Sequence, residues 1–322
     1  MLHIKEWNNS AKLGILIIVA FIVTFFTGFF NLEDTRPRYT CPPTRLTGSN
    51  SQRNFDQFRA RYLQLVEMTV TGSIVDEVGT CLTGPNGCSL QNLVPYDSEL
   101  RRLGDDWPAV GHTMVGHVRL HNIYDALSSV IDDNIPGDFV ELGVWRGGSA
   151  IYAKAVLYAF GAEDRAVHVF DAFEVIPSYG GPLSSYLSVS QKEVEHNFKK
   201  YGLDHNVVFH KGLFKDSVPV FRKESNGNAI AVLRIDGNFY DSYQDALYYL
   251  YELVPVGGYV IFDDAFSHPH VMKCWKDFKS EQGLPEELTA IDNNAAWFRK
   301  SVEIKVDWKF FREPQDANKA GE

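Results

Sequence analysis

The stretch Asp138-Phe139-Val140-Glu141-Leu142-Gly143-Val144-Trp145-Arg146-Gly147-Gly148-Ser149 decides the fold of this chain. Its first five residues form a short apolar run that stops at Gly143, the pattern of a buried strand. Gly147-Gly148-Ser149 then opens a run of helix formers from Ala150 to Phe160. In that order, strand, glycine turn and helix start bring backbone close to a ligand and aim unpaired N–H groups at an anion. The spacing is neither Gly-x-Gly-x-x-Gly nor a P-loop, since no Gly-Lys-Ser/Thr follows. The alternative is a plain tight turn between a strand and a helix.

On the N-terminal side, residues 56–80 and 117–133 carry helical apolar spacing, and Pro136-Gly137 ends the second stretch. On the C-terminal side, Ala166–Phe170, Val207–Phe209, Ala229–Ile235 and Tyr259–Phe262 read as strands. Helical segments at 190–200 and 242–253 alternate with them. This order predicts an α/β fold with a doubly wound, Rossmann-like parallel sheet. Tyr248, Tyr249, Tyr251, Trp275 and Phe278 are expected in its core.

Four of these strands end in acid, at Glu141, Asp171, Asp236 and Asp263-Asp264. Ligands of such sheets lie outside the carboxyl ends of the strands. Asp171, about thirty residues beyond Glu141, has the place of an acid that bonds ribose hydroxyls. Without a pyrophosphate-binding glycine pattern, the natural nucleoside cofactor is S-adenosylmethionine. Asp236, Asp263 and Asp264 would repel one another unless a cation neutralised them. Oxygen-only ligation suits Mg²⁺, which can acidify and orient a hydroxyl. Alternatively, Asp263-Asp264 caps the next element and Asp236 bonds only backbone.

The chain has 322 residues and a formal charge of −10, with 45% hydrophobic and 22% charged residues. That is globular composition, and an acidic chain without a Lys/Arg cluster is ill suited to nucleic acid. Leu13–Phe30 is free of charge and would make a helix of roughly 27 Å, near the thickness of a thin membrane. Lys5 and Lys12 precede it and Arg36 and Arg38 follow, so charge orients it weakly. The short tail before it favours a signal anchor. A cleaved signal peptide is the alternative, although no small-x-small site follows. The organisation expected is a tail over 1–12, a transmembrane helix over 13–30, a stem over 31–59, a catalytic domain over 60–310 and a polar tail over 311–322. Cys81 and Cys88 flank a turn-rich hexapeptide and are either a small disulfide loop in an oxidising lumen or two free thiols.

From about Arg61 to Arg299 the chain resembles the macrocin/mycinamicin O-methyltransferase (TylF-like) family. Six ordered stretches carry the resemblance: Asp106–Gly116, Pro136–Gly148, Asp171–Pro177, Gly212–Pro219, Leu233–Ser242 and Gly257–Asp264. It implies a class I methyltransferase that uses S-adenosylmethionine and Mg²⁺ to methylate sugar hydroxyls. Glu141, Gly143 and Asp171 would contact the cofactor, with Gly212 and Phe214 near its adenine and Thr113 and Met114 at its methionine end. Trp145, Gly147 and Phe173 join the cofactor set from the same stretches. Asp236, Asp263 and Asp264 would hold the metal, and Asp236 would also be catalytic.

Two departures from the family stand out. Asn238 replaces the second acid of an Asp-Gly-Asp motif, keeping an oxygen acceptor but losing a charge. The loop Ser178–Ser190 also lacks the histidine base of the family. His268 and His270, just after Asp264, are either substitute bases or polar loop residues, whereas His112 and His196 read as structural or surface residues. Tyr179 and Tyr186 are candidates for stacking on a sugar.

The expected partners are a sugar, glycan or small-molecule hydroxyl acceptor and the membrane, with a homodimer left open. A phenolic acceptor is the second reading, and a catalytically impaired cofactor-binding membrane protein the third. The expected location is the secretory pathway (Golgi or ER), as a type II single-pass protein with a luminal catalytic domain.

Overall fold

The computed structural model describes residues 50–80 and 89–313. The predicted span Leu13–Phe30, the Cys81/Cys88 pair and the end of the polar tail lie outside the described residues. No helix among those described is long and apolar enough to cross a membrane.

The chain opens with α1 (Asn50–Val70), β1 (Gly79–Thr80), α2 (Ser98–Leu103) and β2 (Trp107–Pro108). It continues through α3 (His117–Asp132), β3 (Asp138–Leu142), α4 (Gly148–Ala159), β4 (Val167–Asp171), α5 (Gly181–Leu187), α6 (Gln191–Lys200) and β5 (Val207–Lys211). The last part holds α7 (Phe214–Glu224), β6 (Ile230–Ile235), α8 (Tyr240–Leu250), β7 (Tyr259–Phe262), α9 (Pro269–Gln282), β8 (Thr289–Ala290) and β9 (Ala296–Arg299).

Seven strands form the main sheet in the order β5-β4-β3-β6-β7-β9-β8. The first five are parallel, and the order reverses beside β3, whose neighbours are β4 and β6. Contrary to the wholly parallel expectation, β9 pairs antiparallel with β7, and β8 pairs antiparallel with β9. The turn into β9 is fixed by Asp292, whose Oδ1 accepts the N–H groups of Asn294 and Ala295 at 2.8 and 2.7 Å.

Side chains alternate between two cores, one on each face of the sheet. Phe139, Val232, Tyr259 and Ile261 pack with apolar residues of α1, α3, α4 and α6. Val140, Leu142, Leu233, Ile235, Val260 and Phe262 pack with α7, α8 and α9. Because both faces are covered, the strands read as continuous apolar runs. Tyr248, Tyr251, Trp275 and Phe278 lie in the second core, with Tyr249 packed against it; Trp275 stacks on Phe298 at 4.8 Å.

Several boundaries differ from the sequence reading. Helix α1 takes in residues 50–59 of the expected stem and ends at Val70, not at 80. Its C-terminus is broken by Gly72, in the left-handed region at φ 72°. Helix α7 carries Pro219 in its interior, which disguises it in the sequence. Helix α5 lies in the segment read as a loop after Asp171.

Candidate active site

The acid-ended strands converge where the strand order reverses, and a cavity of about 520 Å³ opens there. Gly143 sits at the crossing of β3 and β6 with φ 87°, and the backbone N–H of Asp236 donates to Leu142 O at 2.8 Å. A Cβ on Gly143 would collide with the carbonyl oxygen of Asp236. Glycine is therefore required by both the dihedral and the close approach of the strands.

The loop after β3 is held by Asp171, at the end of β4. Its Oδ2 accepts from the N–H groups of Val144 and Trp145 at 3.0 and 3.2 Å, and its Oδ1 accepts from Phe173 at 3.0 Å. Asp171 lines the cavity, yet both oxygens are engaged by backbone, so its first role is to shape this loop. Trp145 and Phe173 are held in the left-handed region at φ 47° and 52°. Strain of this kind persists where surrounding contacts over-determine the backbone. Here Trp145 donates its Nε1–H to Tyr186 O at 3.2 Å and carries the Arg146 guanidinium 4.1 Å over its ring. Tyr186 is stacked between Trp107 and Trp145 at 5.5 and 5.7 Å. That sandwich keeps it off the cavity wall, contrary to its expected place beside a sugar.

Thr113 and Met114 line the cavity. They belong to a loop clamped to α1 and α4, where the N–H groups of His112 and Thr113 donate to Val70 O and that of Gly148 donates to His112 O. His112 bonds Tyr201 Oη through Nδ1 at 2.9 Å, and burial pulls its imidazole down to about 4. It is a packing residue, as read from the sequence, and His196 is exposed on α6.

Glu141 does not reach the cavity. It is fully buried, receives Ser149 Oγ at 2.6 Å and pairs with Arg234, its register partner on β6. Burial outweighs the guanidinium and raises its carboxyl. Gly147, Phe173, Gly212 and Phe214 likewise lie off the cavity wall. Gly147 packs beneath Val194 of α6, and the N–H of Gly212 donates to Asp171 O at 3.0 Å.

At the ends of β6 and β7, Asp236, Asp263 and Asp264 each bring one carboxylate oxygen within 4.8 Å of the others. Arginine side chains missed in the sequence organise them. Arg234, 1% exposed, bonds Glu141 and Asp263 and reaches Asp236 Oδ2 at 3.2 Å. Arg119 of α3 pairs with Asp263 Oδ2 at 2.8 Å and Asp292 Oδ2 at 2.9 Å. Burial alone would raise the Asp263 carboxyl, but Arg119 and Arg234 hold it below its ordinary value. Asp236 moves the other way, pushed well up by burial and by Asp263 beside it.

Five carboxylates, with Asp264 and Asp292 included, thus face two guanidiniums. Among the described residues, Asp264 Oδ2 is buried without a hydrogen-bond partner. An all-oxygen set with surplus negative charge and an unpartnered carboxylate oxygen fits a hard divalent cation.

The rest of the wall is aromatic and polar, from Trp107, Tyr179, Phe239, Ser267, His268 and His270 among others. His268 Nδ1 lies 3.5 Å from Asp264 Oδ1, and that contact raises its imidazole. His268 Nδ1 also lies 3.1 Å from Ser267 Oγ, whereas His270 uses its Nε2 to donate to the backbone carbonyl of Asn238.

Residues 59–300 match the family described as Macrocin-O-methyltransferase (TylF). The chain is 39% identical over 219 residues to the demethyldecarbamoylnovobiocin O-methyltransferase of Streptomyces niveus, spanning 64% of this chain and 82% of that one. It is 33% identical over 256 residues to the mycinamicin III 3''-O-methyltransferase of Micromonospora griseorubida, spanning 75% and 96%. The solved structure of the O-methyltransferase NovP superposes with a TM-score of 0.66 at 35% identity, over 76% of this chain and 100% of that one. With the strand order and the family match in agreement, the chain belongs to the macrocin O-methyltransferase (TylF) family and is an S-adenosylmethionine-dependent O-methyltransferase.

Proposed function

We propose that this enzyme methylates a hydroxyl of a sugar carried on a glycan or a glycosylated metabolite, in a reaction dependent on Mg²⁺ held by Asp236, Asp263 and Asp264. One observation carries the reading. One cavity is lined by the glycine turn Gly143–Trp145, the three clustered acids and aromatic rings. The names of the relatives point the same way, since one acts at the 3'' position of mycinamicin III. When bound, S-adenosylmethionine supplies the electrophilic methyl group and Mg²⁺ the positive charge that makes a hydroxyl more acidic.

The chain's own residues provide the rest. Asp171 fixes the loop that would meet the cofactor, and Thr113, Met114 and Trp145 would enclose it. Arg119 and Arg234 keep Asp263 ionised and aimed. His268, oriented through Nδ1 by Asp264, offers Nε2 to the proton leaving the acceptor. Trp107, Tyr179 and Phe239 line the cavity and would supply the aromatic surface that the apolar side of a sugar packs on. Catalysis by these residues would then be mainly positioning and charge stabilisation.

In the same reading Leu13–Phe30 anchors the enzyme as a type II protein of the ER or Golgi with its catalytic domain in the lumen. Mass mapping under non-reducing conditions checks this through Cys81 and Cys88; free thiols at both would count against a luminal body.

The enzymatic reading is tested with purified full-length protein, S-adenosylmethionine and a panel of glycoside and phenol acceptors. Asp236→Ala is expected to abolish turnover while cofactor affinity stays within about threefold by calorimetry. Full activity in that variant would remove the metal reading, and methylation confined to phenols would replace the sugar by a phenolic acceptor.

A further inference from the structure

We propose that Tyr179 is the hydrogen-bond donor that reads a second oxygen of the acceptor sugar, and that Asn238 sets the direction of its proton. Both residues line the cavity, and Asn238 donates from Nδ2 to Tyr179 Oη at 3.1 Å. An amide nitrogen only donates, so the phenol oxygen is the acceptor in this bond and its own proton must go elsewhere. Among the described residues nothing accepts that proton. It is left for a molecule in the cavity. Burial pushes the Tyr179 phenol up, so the group stays protonated through the physiological range.

Asn238 is well placed to enforce this polarity. Its backbone is left-handed at φ 59°, a conformation asparagine tolerates better than most side chains. Its carbonyl oxygen accepts from His270 Nε2, and the next residue, Phe239, lies 5.0 Å from the Tyr179 ring and 6.5 Å from the His270 ring. These contacts hold the backbone at 238, and the amide itself is placed by its bond to Tyr179 Oη. An aspartate at 238 would be acceptor-only when ionised, so the hydrogen bond would reverse and draw the tyrosine proton away from the cavity. The exchange of Asn for Asp, which removes a charge from the motif, thus also selects an acceptor with an oxygen beside the one methylated. A monohydroxy phenol offers no such oxygen.

This inference rests on the sugar-acceptor reading above, and its test separates the two. Initial rates are compared for wild type, Tyr179→Phe, Asn238→Asp, Asn238→Gly and the Tyr179→Phe/Asn238→Asp double variant. The acceptors are a glycoside that the wild type methylates and its deoxy analogue lacking the neighbouring oxygen. Cofactor affinity and Mg²⁺ half-saturation are measured for each variant. Tyr179→Phe is expected to lower acceptor kcat/KM by about three- to tenfold, mainly through KM, with cofactor affinity unchanged.

Asn238→Asp should match that loss and the double variant should add nothing to it, because one hydrogen bond is being removed twice. Asn238→Gly, which suits the left-handed backbone and removes the amide without diverting the proton, should lose less. On the deoxy acceptor wild type and Tyr179→Phe should be equal.

Losses that multiply in the double variant, equal losses in Asn238→Asp and Asn238→Gly, or wild-type kinetics in Tyr179→Phe would each overturn the proposal while leaving sugar methylation intact. If wild type methylates phenols and no sugar, both readings fall together.

Discussion

Replacing Arg234 by methionine removes the hub of the buried charge network while keeping an apolar stem of similar length. Arg234 is 1% exposed and Glu141 fully buried, and Asp263, its other partner, has a side chain only 7% exposed. The variant leaves Glu141 with the Ser149 hydroxyl and Asp263 with Arg119. Breaking a buried pair from one side costs about 3–5 kcal/mol, because a desolvated charge is stranded. For a domain of this size that corresponds to a fall in Tm of roughly 6–20 °C.

Urea unfolding followed by circular dichroism measures the loss, with an unchanged m-value as the check that the end states are comparable. The deficit has a pH signature. Without the guanidinium, the folded-state carboxyl of Glu141 lies further above its unfolded value. A raised folded pKa gives stability at low pH that is lost as pH rises, so the deficit should be smaller at pH 5 than at pH 7. The double variant Glu141→Gln/Arg234→Met should regain part of the loss, since neither buried charge is then stranded. A deficit below about 1 kcal/mol at pH 7, or one that does not change with pH, would refute the reasoning that charge compensation holds this site together.

Gly143→Ala combines a left-handed φ of 87° with a collision against Asp236 O, so it should cost at least about 2 kcal/mol and abolish cofactor binding. Calorimetry on whatever folds checks the second half; ordinary affinity would mean the β3–β6 crossing tolerates a side chain. Burial and His168 pull His210 down to about 4, and burial pulls His112 to the same value. In both cases the unfolded chain binds the proton first, so stability should fall as pH drops from about 6.5 toward 4, by on the order of 1 kcal/mol per residue. His210→Phe, which keeps the stack on Phe170, should flatten that slope in thermal melts. Chelation of divalent ions should stop methyl transfer and leave cofactor binding measurable; turnover surviving exhaustive chelation would separate the acid cluster from any metal.

Much of this could be read before any coordinates. The edges of β3 and β7 fall where the apolar runs stop, at Gly143 and Asp263, because strands covered on both faces advertise themselves as continuous hydrophobic segments. The acids at their ends were visible for the same reason. Helix α7 was hidden by Pro219, and β9 by its four-residue length and its antiparallel pairing to a strand well before it in sequence. Tyr179 was legible as a cavity residue only because its loop follows Asp171. Tyr186, seven residues on, turned out to be clasped between two indoles instead.

The sequence by itself determined the fold class, the five parallel strands in chain order, and the set of carboxylates at the strand ends. These depend on local apolar patterning and on residue types within a few positions of a strand terminus. What only the tertiary structure decided is how those carboxylates divide their work. Glu141 belongs to a buried pair with Arg234, Asp171 braces the turn after β3, and Asp236, Asp263 and Asp264 gather around the cavity. Arg234 stands 93 positions from Glu141 and Arg119 stands 144 from Asp263, and nothing in the intervening residues announces either pair. Charge compensation acts through space across β3, β6 and α3, so it becomes legible only when the sheet has brought them together.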